Sequence, residues 1–189
     1  MPSRDAPGAI IIVSGAPAVG KTTVSALLAS DEDADPQAPI AVHLRTDAFH
    51  EFVARGYIAP WLPESYAQNT TISRAIVAAA TAYARGGWDV YADGVVGPWF
   101  LPPFRTACER HGIDLHYVVL RPDDALTVER AAARREQPLP DYPRTMLSAF
   151  ADLGELESHV LDSSALNPAA TAARIRERLA RGELRLPVD

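Results

Sequence analysis

The sequence predicts an α/β protein built on a parallel sheet, and three observations carry that expectation. Short apolar runs alternate with longer helix-like stretches along the whole chain. The runs are continuous rather than alternating in polarity, as strands covered on both faces are. Strand then helix, repeated, gives right-handed βαβ units, and no repeat of solenoid or propeller length is present.

The elements follow in order. Residues 9–13 (Ala-Ile-Ile-Ile-Val) read as the first strand, and 21–30, rich in Ala, Leu and Ser, as the first helix. Residues 31–39 hold four acids and two prolines and read as a solvated loop. A second strand is expected at 40–44 and a helix at 71–85, stopped by Gly86 and Gly87 before a third strand at 88–92. Then come a helix at 101–111, a strand at 115–120, a helix at 123–136, a strand at 159–161 and a helix at 168–181. The Pro- and Trp-rich stretches 56–63 and 97–103 follow the second and third strands. They therefore emerge on the carboxyl edge, where open parallel sheets place their ligands.

Composition narrows the class. At 189 residues the chain is expected to form a single domain, 1–189. Hydrophobic residues at 48% and charged residues at 22% exclude a disordered or fibrous chain. The net charge of −6 argues against nucleic acid as a partner. The lone Cys108 forms neither an internal disulfide nor a cysteine metal site, which suits a reducing, cytoplasmic setting. The run at 9–13 is too short to span a membrane, and the first residues lack the pattern of a secretory signal, so no membrane partner is expected.

The most specific motif is Gly15, Ala16, Pro17, Ala18, Val19, Gly20, Lys21, Thr22, which fits G-x-x-x-x-G-K-[ST] at every fixed position. Its context fits as well, with a strand before it and a helix after it. The mechanism requires glycines so that backbone N–H groups can wrap phosphates at a helix N-terminus. Lys21 is expected to reach the β- and γ-phosphates of ATP and the Thr22 hydroxyl to bind Mg²⁺, with Thr23 beside it. The plainer reading is a Gly-rich strand-to-helix turn with a solvated lysine.

The acceptor of the phosphoryl group is the next question. Nucleotide hydrolases with this loop commonly end an apolar strand in Asp then Glu, the Glu orienting water. Here the strand ends in Asp93 and Gly94, so a carboxylate for Mg²⁺ is present and the hydrolytic Glu is not. No guanine-selecting Asn-Lys-x-Asp occurs. Asp47, after the second strand, can take the proton of an attacking alcohol, or can cap a helix starting at Ala48. Acceptor-side loops are expected at about 47–70 and 94–103. Tyr57, Trp61, Tyr66, Trp99 and Phe100 would supply aromatic walls for a partly apolar, hydroxylated molecule, and Arg74 or Arg45 could clamp an anion. His50 lies near Asp47, but the histidines lack zinc-site spacing.

After the fourth strand come Arg121, then Arg130, Arg134 and Arg135, and a Pro-rich stretch to Arg144. Arg130 and Arg134 share a helix face, and a lid at about 130–144 could bring either over the transferring phosphoryl group. The alternative is a solvated helix in which Glu129 and Glu136 pair these arginines.

Four pieces in this order, GAPAVGKT, RTDAF at Asp47, VYADG at Asp93 and ERAAARRE, resemble the small P-loop kinases related to nucleoside monophosphate, shikimate and gluconate kinases. Among these the chain is most similar to the chloramphenicol phosphotransferase-like branch, over roughly residues 9–164. The resemblance implies a P-loop NTPase three-layer α/β/α fold, a five-stranded parallel sheet in order 2-3-1-4-5 with a short lid, and Asp47 as the catalytic aspartate. Gly94 departs from that branch, which can carry a second acid there. The expected activity is ATP- and Mg²⁺-dependent transfer of the γ-phosphoryl group to a hydroxyl of a small molecule, such as an antibiotic or nucleoside-like natural product. The alternatives are a regulatory ATPase acting through a protein partner and a polynucleotide 5′-kinase. Oligomeric state is not legible.

Overall fold

The computed structural model describes residues 6–30, 38–123 and 148–187. Its strands are β1 (Ile10–Ser14), β2 (Ala41–Arg45), β3 (Asp89–Asp93), β4 (Leu115–Leu120) and β5 (Val160–Leu161). The helices named here are α1 (Lys21–Ala29), α2 (Ala48–Glu51), α3 (Tyr66–Arg85), α4 (Leu101–His111) and α5 (Pro168–Ala180). All strand pairs are parallel and the order is β2-β3-β1-β4-β5, as the resemblance implied.

Hydrophobicity explains the order. β1 is Ile-Ile-Ile-Val-Ser with every residue buried, so it takes the centre, flanked by β3 and β4. Ile10, Ile12, Val13, Leu115 and Val118 have no measurable exposure, and each contributes about 1.5–3 kcal/mol by burial. β2 is only half-buried, as an edge strand is. α1 packs with α5, and α3 with α4, giving the outer layers. Asn167 caps α5, its Oδ1 accepting from Ala170 N at 2.8 Å, with Pro168 in the first turn.

The structure departs from the sequence reading in four places. β1, β2 and β3 each start one residue later; at β1 the Ala9 N–H donates to the Asp89 side chain, Oδ1 at 2.8 Å, rather than to a backbone carbonyl of the neighbouring strand. α3 begins at Tyr66, five residues before the expected start. Its first turn is tied by side chains to the loop before it: Gln68 bonds both the N–H and the carbonyl of Ile58, while Asn69 and Ser65 donate to the Pro60 carbonyl. β5 is two residues long, and the free edge of β4 is completed from beyond α5. There Tyr117 N donates to Leu184 O and Leu186 N to Leu115 O, burying Leu184 and Leu186. The fourth departure is α2, a single short turn after Asp47. The helix expected at 123–136 and most of the acidic loop lie outside the described residues. Among the described residues no helix is long and apolar enough to cross a membrane.

The carboxyl ends of β1, β2 and β3 lie side by side, so the loops after them share one edge. That edge carries the site.

Candidate active site

The loop between β1 and α1 has the backbone an anion cradle needs. Gly15 (φ 136°) sits where a Cβ would come within 2.4 Å of the Leu120 carbonyl, and Gly20 (φ 96°) precedes α1 without any side-chain cap. Ala18 is the one non-glycine with positive φ among the described residues, a local strain of the kind concentrated at ligand sites. Lys21 is buried, its Nζ donating to the Ala16 carbonyl at 2.8 Å across the same loop. Pro17, Ala18, Gly20, Lys21, Thr22 and Thr23 all line the cleft described below. Gly15, Ala16 and Val19 hold the loop from behind, buried against the core.

Thr22 reaches across to the end of β3. Its Oγ1 donates to Asp93 Oδ2 at 2.5 Å, so the hydroxyl and the strand-terminal carboxylate form one oxygen pair. Asp93 is 2% exposed, and its other oxygen, Oδ1, lies 2.7 Å from His43 Nε2 on β2. A buried carboxylate is costly unless both oxygens are satisfied, and here both are. Hard oxygen donors suit Mg²⁺, so Thr22 and Asp93 fit the metal that accompanies a nucleotide.

Gly94 has a steric cause. A Cβ there would lie 1.7 Å from Thr46 Oγ1 and 3.1 Å from Thr46 Cβ. Thr46 is 4% exposed and its N–H bonds the Asp93 carbonyl at 2.9 Å, so it cannot easily yield. The place that a second acid would take is filled by this threonine.

The cleft itself is about 1380 Å³. Asp47, Trp61, Trp99, Phe100 and Arg74 all face it, joined by Tyr57, Tyr66 and His50. Asp47 occupies the position before α2, but its side chain makes no capping bond and the residue is exposed. Of the two readings of Asp47, capping is therefore not realised. The His50 ring has a buried Nδ1 without a hydrogen-bond partner; burial lowers its pKa, opposed by the charge of Asp47. Trp99 lies over Gly97, where a Cβ would meet its ring at 2.3 Å, and 6.0 Å from the Phe150 ring. Arg45, across the strand pair from Asp93, is exposed and does not line the cleft.

The wall is tied to the sheet centre through Val96. Ser14 Oγ and Tyr117 OH both donate to the Val96 carbonyl, at 2.8 and 2.7 Å, and Val96 N donates back to Ser14 Oγ at 3.1 Å. Burial raises the Tyr117 pKa well above the usual phenol value, so it stays a donor. Arg121 forks Glu157 at 2.9 and 2.7 Å and bonds the Phe150 and Ala151 carbonyls, which assigns it to the segment under Trp99. Held by that fork, the exposed Glu157 carboxyl has its pKa lowered to about 2. Arg130, Arg134, Arg135, Arg144 and the expected lid lie outside the described residues.

The sequence reading missed His43 and Thr46. The available signal was a single histidine inside the apolar run Ala-Val-His-Leu, on a strand that the order 2-3 places beside β3.

Comparison with known proteins agrees with this fold. A family model described as an AAA domain matches residues 10–153. The chain is similar to the tunicamycin resistance protein of Deinococcus radiodurans (16% identity, 95% of this chain and 99% of that one, TM-score 0.65). It is similar to an APS kinase of Mycobacterium tuberculosis, solved with AMPPNP and APS (16%, 93% and 99%, TM-score 0.71). A putative kinase from Chloroflexus aurantiacus matches at 20% identity over 95% of this chain and 100% of the other, TM-score 0.66. At such identities the likeness is one of fold. No curated protein matches the sequence.

Proposed function

The chain belongs to the AAA domain family and has the three-layer fold of the small P-loop kinases, and from that premise we propose that it is an ATP- and Mg²⁺-dependent kinase of a hydroxylated small molecule. One observation carries the reading. The phosphate loop with Lys21, the Thr22–Asp93 oxygen pair, the uncapped Asp47 and an aromatic wall line a single cleft or lie at its base.

The loop amides and Lys21 hold the ATP phosphates. Asp47 accepts the proton of the acceptor hydroxyl as its oxygen attacks the γ-phosphorus; the new P–O bond forms, the bond to the bridging oxygen breaks, and ADP leaves. When bound, Mg²⁺ neutralises charge developing on the phosphate oxygens, and Thr22 with Asp93 would hold it. Trp61, Trp99 and Phe100 stack on or enclose the acceptor, and Arg74, which lines the same cleft, meets an anionic group on it. A lid cation, Arg130 or Arg134, completes the charge stabilisation. The aromatic lining and the likeness to a tunicamycin resistance protein support an antibiotic or nucleoside-like acceptor. The missing hydrolytic Glu, its place filled by Thr46, supports transfer over hydrolysis.

The test is a mass-spectrometric screen of hydroxylated antibiotics, nucleosides and sugars incubated with the chain, ATP and Mg²⁺. A phosphorylated product, lost in Asp47→Ala, is expected. Transfer undiminished in Asp47→Ala would remove the base, and phosphate release stimulated only by a protein partner would replace the kinase with a regulatory ATPase.

A further inference from the structure

We propose that His43 is a positioning residue for the metal side of the phosphate site, an assignment that rests on the kinase reading above. Asp93 is the carboxylate this edge of β3 offers, because Thr46 Oγ1 would lie 1.7 Å from any Cβ at position 94. A site with a partner acid shares its ligation between two carboxylates; here one must serve alone, and its orientation matters the more.

The structure supplies that orientation from β2. Since a carboxylate oxygen accepts, His43 Nε2 is the protonated ring nitrogen and donates to Asp93 Oδ1 at 2.7 Å. Oδ2 is left to Thr22 Oγ1 at 2.5 Å. In strand register Arg45 stands directly opposite Asp93 and His43 opposite Tyr91. The bond to Oδ1 thus comes diagonally, from two residues back toward the sheet interior. With one oxygen held from inside and the other on α1, the carboxylate is restrained against turning about its Cβ–Cγ bond. The His43 side chain is 21% exposed and that of Asp93 3%, so water competes little for the contact. Mg²⁺ demands near-ideal octahedral geometry, and outer residues that fix a ligand's orientation are typically worth 10–100-fold in metal affinity.

The experiment compares wild type, His43→Ala and His43→Gln, the last keeping an N–H donor near the Nε2 position. Mn²⁺ binding in the presence of AMPPNP is read by electron paramagnetic resonance, AMPPNP binding in EDTA by calorimetry, and folding by thermal melting. His43→Ala is expected to weaken Mn²⁺ binding by about 10–100-fold, with metal-free AMPPNP affinity unchanged, and His43→Gln to recover most of the loss. In turnover on an identified acceptor, kcat should fall while KM for ATP at saturating metal holds. Equal Mn²⁺ affinity in wild type and His43→Ala overturns the assignment, as does a loss of metal-free AMPPNP affinity that parallels the metal loss, which marks a merely structural role. Wild type that binds no AMPPNP with or without metal overturns the kinase reading itself, and this proposal with it.

Discussion

Removing the Ser14 hydroxyl and removing the Tyr117 hydroxyl should not cost the same, although both touch Val96. In Ser14→Ala the Val96 carbonyl keeps Tyr117 OH, but Val96 N–H loses the acceptor it had at 3.1 Å, in a residue only 6% exposed. A buried donor left unpaired costs about 1–3 kcal/mol. In Tyr117→Phe the carbonyl keeps Ser14 Oγ at 2.8 Å, no buried group is orphaned, and the cost is about 0.5–1.5 kcal/mol. The double variant strips both donors from the carbonyl, so its loss should exceed the sum of the single losses by about 0.5 kcal/mol or more. At about 2–4 °C per kcal/mol for a chain of this size, the single variants separate in Tm. Urea titrations followed by tryptophan fluorescence, at constant m, give the free energies. A Tyr117→Phe loss equal to or larger than that of Ser14→Ala, or strict additivity, would refute this account of the hub.

Stability should also rise with pH across the histidine range. Burial holds His50, His116 and His159 below their ordinary value of 6.5, so as pH falls the unfolded chain takes up protons first. The contribution is fully present above pH 6.5 and is lost as pH drops through the folded-state values. The slope is at most about 1.4 kcal/mol per pH unit for each histidine, less for the partly exposed His50 and His116. Urea midpoints at pH 7.5 that do not exceed those at pH 5.5 would contradict it. Cys108 is buried, and burial with the Asp114 charge pushes its thiol up to about 12. Iodoacetamide should therefore label it only in denaturant, as intact mass will report. Trp99→Ala should raise KM for an identified acceptor while leaving KM for ATP unchanged; equal effects on both would remove Trp99 from the acceptor wall.

The carboxyl-edge loop and the sheet were legible for different reasons. GAPAVGKT is local, since its backbone and its chemistry sit in eight consecutive residues. β1 announces itself by Ile-Ile-Ile-Val, a short β-branched run of the kind that strands covered on both faces carry, while its central place came with the family resemblance. The α3 start was not legible because Asn69 and Thr70 are weak helix formers and the first turn is held by bonds from Ser65, Gln68 and Asn69 to a loop met earlier in the chain. The strand-like return of Leu184 and Leu186 was hidden likewise, its partner being the backbone of β4. His43 stayed out of reach because its meaning depends on β2 lying beside β3, and a histidine in an apolar run carries no sign of the carboxylate it will meet.

The packing of Thr46 into the space above Gly94 also constrains how this family member can diverge. A glutamate at 94, the step toward water activation, places its Cβ on the Thr46 hydroxyl and is barred as a single substitution. Thr46→Ala removes that oxygen and leaves a Cβ at 3.1 Å, a contact relieved by a shift of a few tenths of an ångström, so the route to an acid at 94 passes first through position 46. An acid at 94 therefore depends on a prior change at 46, and the two positions can change only in that order.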